Sequence, residues 1–351
     1  MDKKIKILLG AYVDTVNAQN INCYNIAKHL DKEKFEVHVL YHTKKVFNDS
    51  EVVQHKISTN RYLKNIQKFL ILYLLNYDIV YLPRCEQIDL FFASKFKHKR
   101  CIVSSYEIES LFRNKKLLQF FSNVYDAFAI NNDLKKEATR VFNKDTNLLY
   151  LGCNHPYTQD AILFKKKLRR IIFVGSVIER KKPLLFVQLA QCFPQLEFVM
   201  VGDGDLLPVV KEYVATNKIN NVIFKGRLGN DAVYKEFQVS DLLLMMSDSE
   251  GLPKVILEAA SVGVPTIYFN RQYHVDYIED GKNGYGVNDI EKMKEIILYL
   301  SQNPEQLYHM SLEAYNISQH YDWKNLINDY EKYFCHVLKR YHAQKGGRSN
   351  A

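Results

Sequence analysis

Two glutamates eight residues apart, Glu250 and Glu258, bracket the stretch Gly251-Leu252-Pro253-Lys254. An ionised carboxylate only accepts hydrogen bonds, so this pair suits a hydroxyl-rich ligand better than a phosphate. Gly251 permits close backbone approach, and Pro253 suits the first turn of a helix, where its missing N–H costs nothing. A helix starting near Pro253 points free amides and a positive dipole end at whatever lies over residues 251–255, a place for a phosphate or a sugar hydroxyl. A second segment, Gly175-Ser176-Val177-Ile178-Glu179-Arg180-Lys181-Lys182-Pro183, reads as strand end, loop and helix start, with three consecutive cations. A cation there can neutralise a departing diphosphate. A third, Gly202-Asp203-Gly204-Asp205-Leu206-Leu207-Pro208, opens like a GxGxxG loop but lacks the third glycine and carries two acids. Acids are unwelcome beside a pyrophosphate, so it reads as a strand-to-helix turn and not as a dinucleotide site.

These segments must be held by strands. Short apolar runs recur: residues 6–10, 35–41, 79–82, 101–104, 127–130 and 148–151, then 170–175, 197–202, 222–226, 242–246 and 265–269. Amphipathic or basic helical stretches separate them, Ile21 to Leu30 being the first, after a polar loop through Asn17–Asn20. Alternation of strands and helices means parallel sheets built from βαβ units. The pattern breaks at Gly152-Cys153-Asn154-His155-Pro156 and restarts after the basic run Lys165–Arg170. We therefore expect an α/β protein of two Rossmann-like, doubly wound domains, 1–160 and 161–321, with strand carboxyl ends facing a cleft. A final helix, 322–341, carries Leu326, Ile327, Tyr330, Tyr333, Phe334 and Leu338 on one face.

With 351 residues and 47% hydrophobic content, the chain has the size of two domains and the composition of a folded protein. Its longest apolar run, Phe69–Leu75, is far short of the roughly 20 residues of a bilayer span, and the apolar stretch after Lys6 is too short for a signal peptide. Six scattered cysteines without CxxC spacing imply reduced thiols and a cytoplasmic setting. No HExxH-like spacing marks a metal site. Net charge is +9, and residues 1–160 hold 24 Lys/Arg against 17 Asp/Glu. Both an anionic partner and an ordinary Lys-rich surface fit that excess. Nucleic acid is disfavoured, because no RRM, KH or helix-turn-helix signature accompanies the diffuse charge. The stretch Phe112–Phe121 mixes cations with large apolar residues; an interfacial segment on anionic lipid and a core helix with a basic outer face are the two readings.

The spacing of Glu250 and Glu258 within EGLPKVILEAASVGVP resembles the signature of retaining GT-B glycosyltransferases, specifically glycosyltransferase family 4 (glycosyl transferases group 1). FVGSVIERKKP, VMVGDGD, VIFKGRL and YIEDGKNGYGV fall in the same order as in that family. DAFAINN and YLGCN resemble the end of its acceptor domain. The resemblance is strong over 170–290 and diffuse over 1–155. It implies a retaining hexosyltransferase that uses a nucleotide-sugar, a UDP-sugar above all, and a glycan or lipid-linked acceptor in capsule, O-antigen or lipopolysaccharide synthesis. It implies Glu250 on the transferred sugar, with the Gly251 and Leu252 amides, Lys181 on the diphosphate and Glu258 on the ribose. Gly175, Ser176, Gly202, Leu228 and Pro253 complete the donor pocket, and the final helix packs on the first domain. It implies no cofactor and no metal. The basic first half and the stretch Phe112–Phe121, rather than the resemblance, point to an anionic membrane surface as a further partner, and the cysteines to a cytoplasmic enzyme, peripherally bound. Ser176 stands where the family carries Arg, and Asn17-Ala18 where a Gly-Gly loop is frequent. Tyr106, beside Glu107, stands near a common acceptor-site His; Tyr106 and Glu107 are the acceptor candidates. A GT-B-shaped sugar-nucleotide epimerase and a basic nucleic-acid-binding protein are the alternatives.

Overall fold

A computed structural model describes residues 3–348 apart from Val16, Asp49 and Gln272, with the side chains of 347 and 348 left aside. The chain forms two compact units, residues 1–151 with 323–351, and residues 152–322.

The first unit contains strands β1 (Ile5–Tyr12), β2 (Phe35–Tyr41), β3 (Val53–Lys56), β4 (Ile79–Tyr81), β5 (Cys101–Tyr106), β6 (Asp126–Ala129) and β7 (Asn147–Leu148). Its helices are α1 (Ala18–His29), α2 (Arg61–Leu74), α3 (Gln87–Phe96), α4 (Lys115–Asn123) and α5 (Asn132–Phe142). The sheet order is β3-β2-β1-β4-β5-β6-β7, and every pairing is parallel. The second unit holds β8 (Arg170–Val174), β9 (Glu197–Val201), β10 (Val222–Gly226), β11 (Leu242–Met245), β12 (Thr266–Phe269) and β13 (Gly284–Val287) in the order β10-β9-β8-β11-β12-β13. Its pairings are parallel as well. Its helices are α6 (Pro183–Cys192), α7 (Leu207–Thr216), α8 (Asn230–Gln238), α9 (Lys254–Ala260), α10 (Ile290–Gln302) and α11 (Pro304–His320). The last helix, α12 (Trp323–Arg348), belongs to the first unit.

The doubly wound parallel architecture is therefore present twice. The polar stretch 17–20 is not a loop: Asn17 caps α1, its side chain accepting from the Asn20 amide at 2.9 Å, so the helix starts three residues before the apolar periodicity does. Two strands escaped sequence reading. β3 is a half-exposed edge strand, and β13 (Gly-Tyr-Gly-Val) has too few apolar side chains to announce itself.

Each unit has an aromatic centre. In the second, Phe186 of α6 packs between Phe173 and Phe198, with ring centroids 5.7 and 5.2 Å away. In the first, Phe128 of β6 is fully buried and meets Tyr81, Tyr330 and Tyr333 at 5.7, 5.6 and 5.3 Å. Burying such a ring contributes about 1.5–3 kcal/mol, so α12 closes the core of a unit whose other elements end some 170 residues earlier in the chain.

Tyr106 is also a core residue. Its ring is buried against Phe112, Phe121 and Phe142 at 5.7, 4.4 and 5.7 Å. The same packing decides between the two readings of Phe112–Phe121. Phe120 and Phe121 of α4 are buried and Phe112 stacks on Tyr106, which leaves Arg113, Lys115 and Lys116 outside. The stretch is a core helix with a basic outer face.

Candidate active site

A doubly wound sheet has one place where successive crossovers leave in opposite directions, and ligands bind outside the strand carboxyl ends there. In the second unit that place lies between β8 and β11: the chain runs from β8 to β9 and β10 on one side, and from β11 to β12 and β13 on the other. The loop after β8 supplies Lys181 and Arg180, and the loop after β11 supplies Glu250.

The two loops are joined by ions. Lys181 Nζ lies 2.5 Å from Glu250 Oε1, and Arg180 Nη1 lies 2.7 Å from the same oxygen. Arg180 also donates to the Ser249 carbonyl, and its own carbonyl accepts from the Asp248 amide at 2.9 Å. Lys181 and Glu250 are largely shielded from solvent. Burial alone would raise the Glu250 carboxyl, but the Lys181 ammonium and the Arg180 guanidinium outweigh it and hold the group below its ordinary value. Glu250 is thus an anion at neutral pH with two cations on one oxygen. Lys182 takes a left-handed conformation (φ 49°) between the 3₁₀ turn Glu179–Lys181 and Pro183. Its ammonium, 2.9 Å from Glu179 and 3.0 Å from Asp248, adds a third bridge between the loops.

Neighbouring backbone fixes the floor of the pocket. The Gly175 amide donates to the Val201 carbonyl at 3.0 Å, Val177 to Asp203 at 2.9 Å, and Gly202 to Gly226 at 2.8 Å. Gly202 has φ +144°, and a Cβ there would stand 1.8 Å from the Gly175 carbonyl oxygen; at Gly204, φ +156°, a Cβ would meet the Val177 oxygen at 2.6 Å. Only glycine lets the β8 and β9 loops lie this close. Asp203 Oδ1 accepts the Gly204 amide at 2.8 Å, so that acid is spent inside the turn. Ser176 is exposed beside Gly175, and Leu228 is half-buried just beyond Gly226.

Glu258 lies on α9, which is only seven residues long. Pro253 occupies its N-cap position, and the Pro253 carbonyl accepts from Tyr277 Oη at 3.1 Å. Gly251 and Leu252 are half-buried just before it. Burial pushes the Glu258 carboxyl up, with only Lys254 opposing. Glu250 and Glu258 therefore differ in kind: one is charge-compensated, the other desolvated.

Sequence reading missed two contributors here. Asp248 anchors Lys182, and the Tyr273 hydroxyl is pushed up by burial and by the nearby Glu250 charge. Asp248 stands two residues before Glu250 but was given no role, and Tyr273 sits in no motif; each acts through a partner distant in sequence.

The first unit has its own switch point, between β1 and β4. There Tyr12 Oη donates to Glu86 Oε2 at 2.9 Å, and Arg84 Nη1 donates to Asn20 Oδ1 at 3.1 Å. Lys64 and Lys68 stand 3.2 and 3.1 Å from Glu86. None of these residues was marked by sequence reading. Glu107, which was, is nearly buried and accepts from Ser105 Oγ at 2.8 Å, and that hydroxyl is 2.9 Å from Tyr81 Oη.

Residues 157–327 match the model for glycosyl transferases group 1. This stretch belongs to that family. The group 1 region takes in Gly175, Lys181, Gly202, Glu250 and Glu258 and nearly all of the second unit. The chain is 28% identical over 142 residues to the alpha-monoglucosyldiacylglycerol synthase of Acholeplasma laidlawii, covering 40% of this chain and 34% of that one. It is 30% identical over 162 residues to the alpha-galactosylglucosyldiacylglycerol synthase of Streptococcus pneumoniae, covering 45% and 43%. The match therefore spans less than half the length of either relative. Among solved structures, the Anabaena protein HepE in complex with UDP and glucose superposes with a TM-score of 0.75 at 15% identity, over 94% of this chain and 99% of that one. At that identity the likeness is one of fold, the GT-B fold. Around the group 1 region, the described residues include no helix long and apolar enough to cross a membrane.

Proposed function

We propose that the protein is a retaining hexosyltransferase that moves a sugar from a nucleotide-sugar, a UDP-sugar above all, to a glycan or lipid-linked acceptor in cell-surface polysaccharide or glycolipid synthesis. The observation that carries this reading is the Lys181–Glu250 contact at the switch point between β8 and β11. Group 1 membership, the UDP and glucose bound by HepE and the diacylglycerol synthase relatives support it.

In this reading the ion pair is the resting state of the site. A nucleoside diphosphate offers Lys181 and Arg180 a doubly charged partner in place of Glu250. Glu250, released from these cations, accepts hydrogen bonds from the hydroxyls of the transferred sugar, with the Gly251 and Leu252 amides beside it. Glu258, already desolvated, accepts from the ribose hydroxyls. Gly175, Ser176, Gly202, Leu228 and Pro253 line the nucleotide. As the glycosidic bond breaks, negative charge grows on the leaving phosphate, and Lys181 and Arg180 stabilise it without a divalent metal. Acceptor recognition falls to the first unit, to Tyr12, Asn20, Arg84 and Glu86 at its switch point and to Glu107.

The test is product stereochemistry together with the kinetics of Lys181→Ala. Proton NMR of the new linkage should show the donor's anomeric configuration, and activity should survive EDTA. Lys181→Ala should lower kcat by about 10²–10³, the typical cost of losing one transition-state stabiliser. An inverted product, or strict Mg²⁺ dependence, would overturn the mechanism. Epimerised donor formed without any acceptor would overturn the reaction.

A further inference from the structure

Helix α2 is amphipathic with its faces exchanged. Tyr62, Leu63, Ile66, Leu70, Tyr73 and Leu74 are all exposed, from 44% at Leu70 to 79% at Tyr62. At 100° per residue these six fall within an arc of about 120°. The opposite, buried side carries Leu72 and the charged Lys68. A helix that hides a lysine and shows solvent a stripe of leucine, isoleucine and tyrosine is not shaped by the core of its own unit. Contiguous apolar surface of this kind marks a docking site.

The stripe continues onto α3. Phe69 of α2 packs on Phe92 and Phe96, and Phe91, 47% exposed, lies 6.1 Å from Phe69. Exposed charge around the stripe is of one sign. Arg61, Lys95, Lys97 and Lys99 are exposed. Arg100 donates to the Tyr73 carbonyl at 3.1 Å and to Asn76 at 2.9 Å, which seats a cation at the end of the stripe. Within α2, α3 and the turn 97–100 the one carboxylate is Asp89, which is fully buried.

We propose that this face, α2 with the α3 end and the 97–100 turn, docks the protein on an anionic lipid surface, the apolar stripe entering the headgroup boundary and the lysines and arginines holding the phosphates. Charge complementarity selects this occupant. A second copy of the chain would bring the same cations against each other, whereas anionic lipid pairs with all of them. Among the described residues no helix is both long and apolar enough to cross a bilayer, and a stripe of this width inserts one side only. The proposal is independent of the transfer chemistry, because none of these residues touches Lys181 or Glu250.

Sedimentation of the full chain with vesicles tests it. Wild type should bind vesicles of phosphatidylcholine containing phosphatidylglycerol and not vesicles of phosphatidylcholine alone. Tyr62→Ser with Leu70→Ser and Leu74→Ser keeps every charge and should weaken binding by about tenfold or more. Lys97→Ala with Lys99→Ala should cost about fivefold per charge and make the remaining binding less salt-sensitive. Circular dichroism checks that each variant is folded. If the triple variant unfolds, Tyr62→Ser with Leu74→Ser, the two most exposed positions, replaces it. Three results would overturn the proposal: no binding to anionic vesicles at low salt, undiminished binding by the folded stripe variant, or a dimer that the stripe variant dissolves while vesicles bind neither form. Loss of binding only on substituting Arg113, Lys115 and Lys116 of α4 would likewise move the contact elsewhere.

Discussion

Lys68 Nζ lies 2.8 Å from Asp89 Oδ1, and neither side chain has any exposure to solvent. Glu86, 3.1 Å from the same ammonium, completes the group and joins it to Tyr12. Burial works against the Lys68 charge, but the two carboxylates outweigh it and hold the lysine charged, above its ordinary value. This pair couples α2 to α3 beneath the apolar stripe.

Removing one member leaves a buried charge without its partner, which typically costs about 3–5 kcal/mol. Lys68→Met should therefore destabilise the first unit by that amount in urea unfolding. Lys68→Met with Asp89→Leu should recover part of the loss, since two apolar groups leave less charge stranded. An equal loss in the single and double variants would refute the coupling.

Glu86 sets a pH dependence. Burial would raise its carboxyl, but Lys68, Tyr12 and Lys64 hold it at about 2. A carboxyl whose folded value lies below its unfolded one stabilises fully above the unfolded value, near 4.3, and loses that contribution as pH falls towards 2. The stability difference between wild type and Glu86→Gln should therefore be largest at neutral pH and shrink by on the order of 2–3 kcal/mol down to pH 2. Denaturant titrations across that range check the direction; a gap that widens in acid would exclude it.

Gly202→Ala places a methyl carbon against the Gly175 carbonyl, where backbone and not a yielding side chain is in the way. Overpacking together with a φ that L-residues avoid should cost about 3 kcal/mol or more. Calorimetry with UDP should show binding lost together with stability. Gly229→Ala, where a Cβ meets nothing within 4 Å, is the control: it should leave UDP binding unchanged and cost only the loss of a glycine N-cap, about 1 kcal/mol or less.

Glu258→Gln keeps the shape of the side chain and removes its charge. If the carboxylate accepts ribose hydroxyls, UDP affinity should fall by about 1.5–3 kcal/mol. Thermal stability should hold or rise, because burial disfavours the charge that is removed. Unchanged UDP affinity would remove Glu258 from the donor site.

Much of this was legible in the residues. Gly175, Gly202 and Gly226 each close an apolar run, so β8, β9 and β10 and the loops after them could be read directly, as could the helix starting at Pro253. The ion pair could not be read, because Lys181 and Glu250 meet only when β8 and β11 become neighbours, and sheet order is not written in local pattern. The inside-out character of α2 escaped for a related reason. A 3.6-residue apolar period looks the same whether the stripe faces core or solvent. What turns α2 around is Lys68 reaching Glu86 and Asp89, 18 and 21 residues away in the chain. Tyr106 drew attention because it stands near an acceptor-site His of the resembling family; its packing against three phenylalanines from α4, α5 and the turn before α4 is a tertiary matter that local pattern does not carry.

The assignment of α12 to the first unit has a consequence for biosynthesis. A ribosome releases Leu151, then the whole of the second unit, and only then Tyr330 and Phe334 of α12, whose rings pack on Phe128 and Tyr81 of the first sheet. At about 5–20 residues per second that interval lasts roughly 10–40 s. The second unit, contiguous in the chain, can complete itself while it is still tethered. The first-made half must wait, with the face of Tyr81 and Phe128 uncovered, for the last segment to emerge. The nascent first half is accordingly the stretch on which holding chaperones would act, and a stop codon before Trp323 would leave that need permanent.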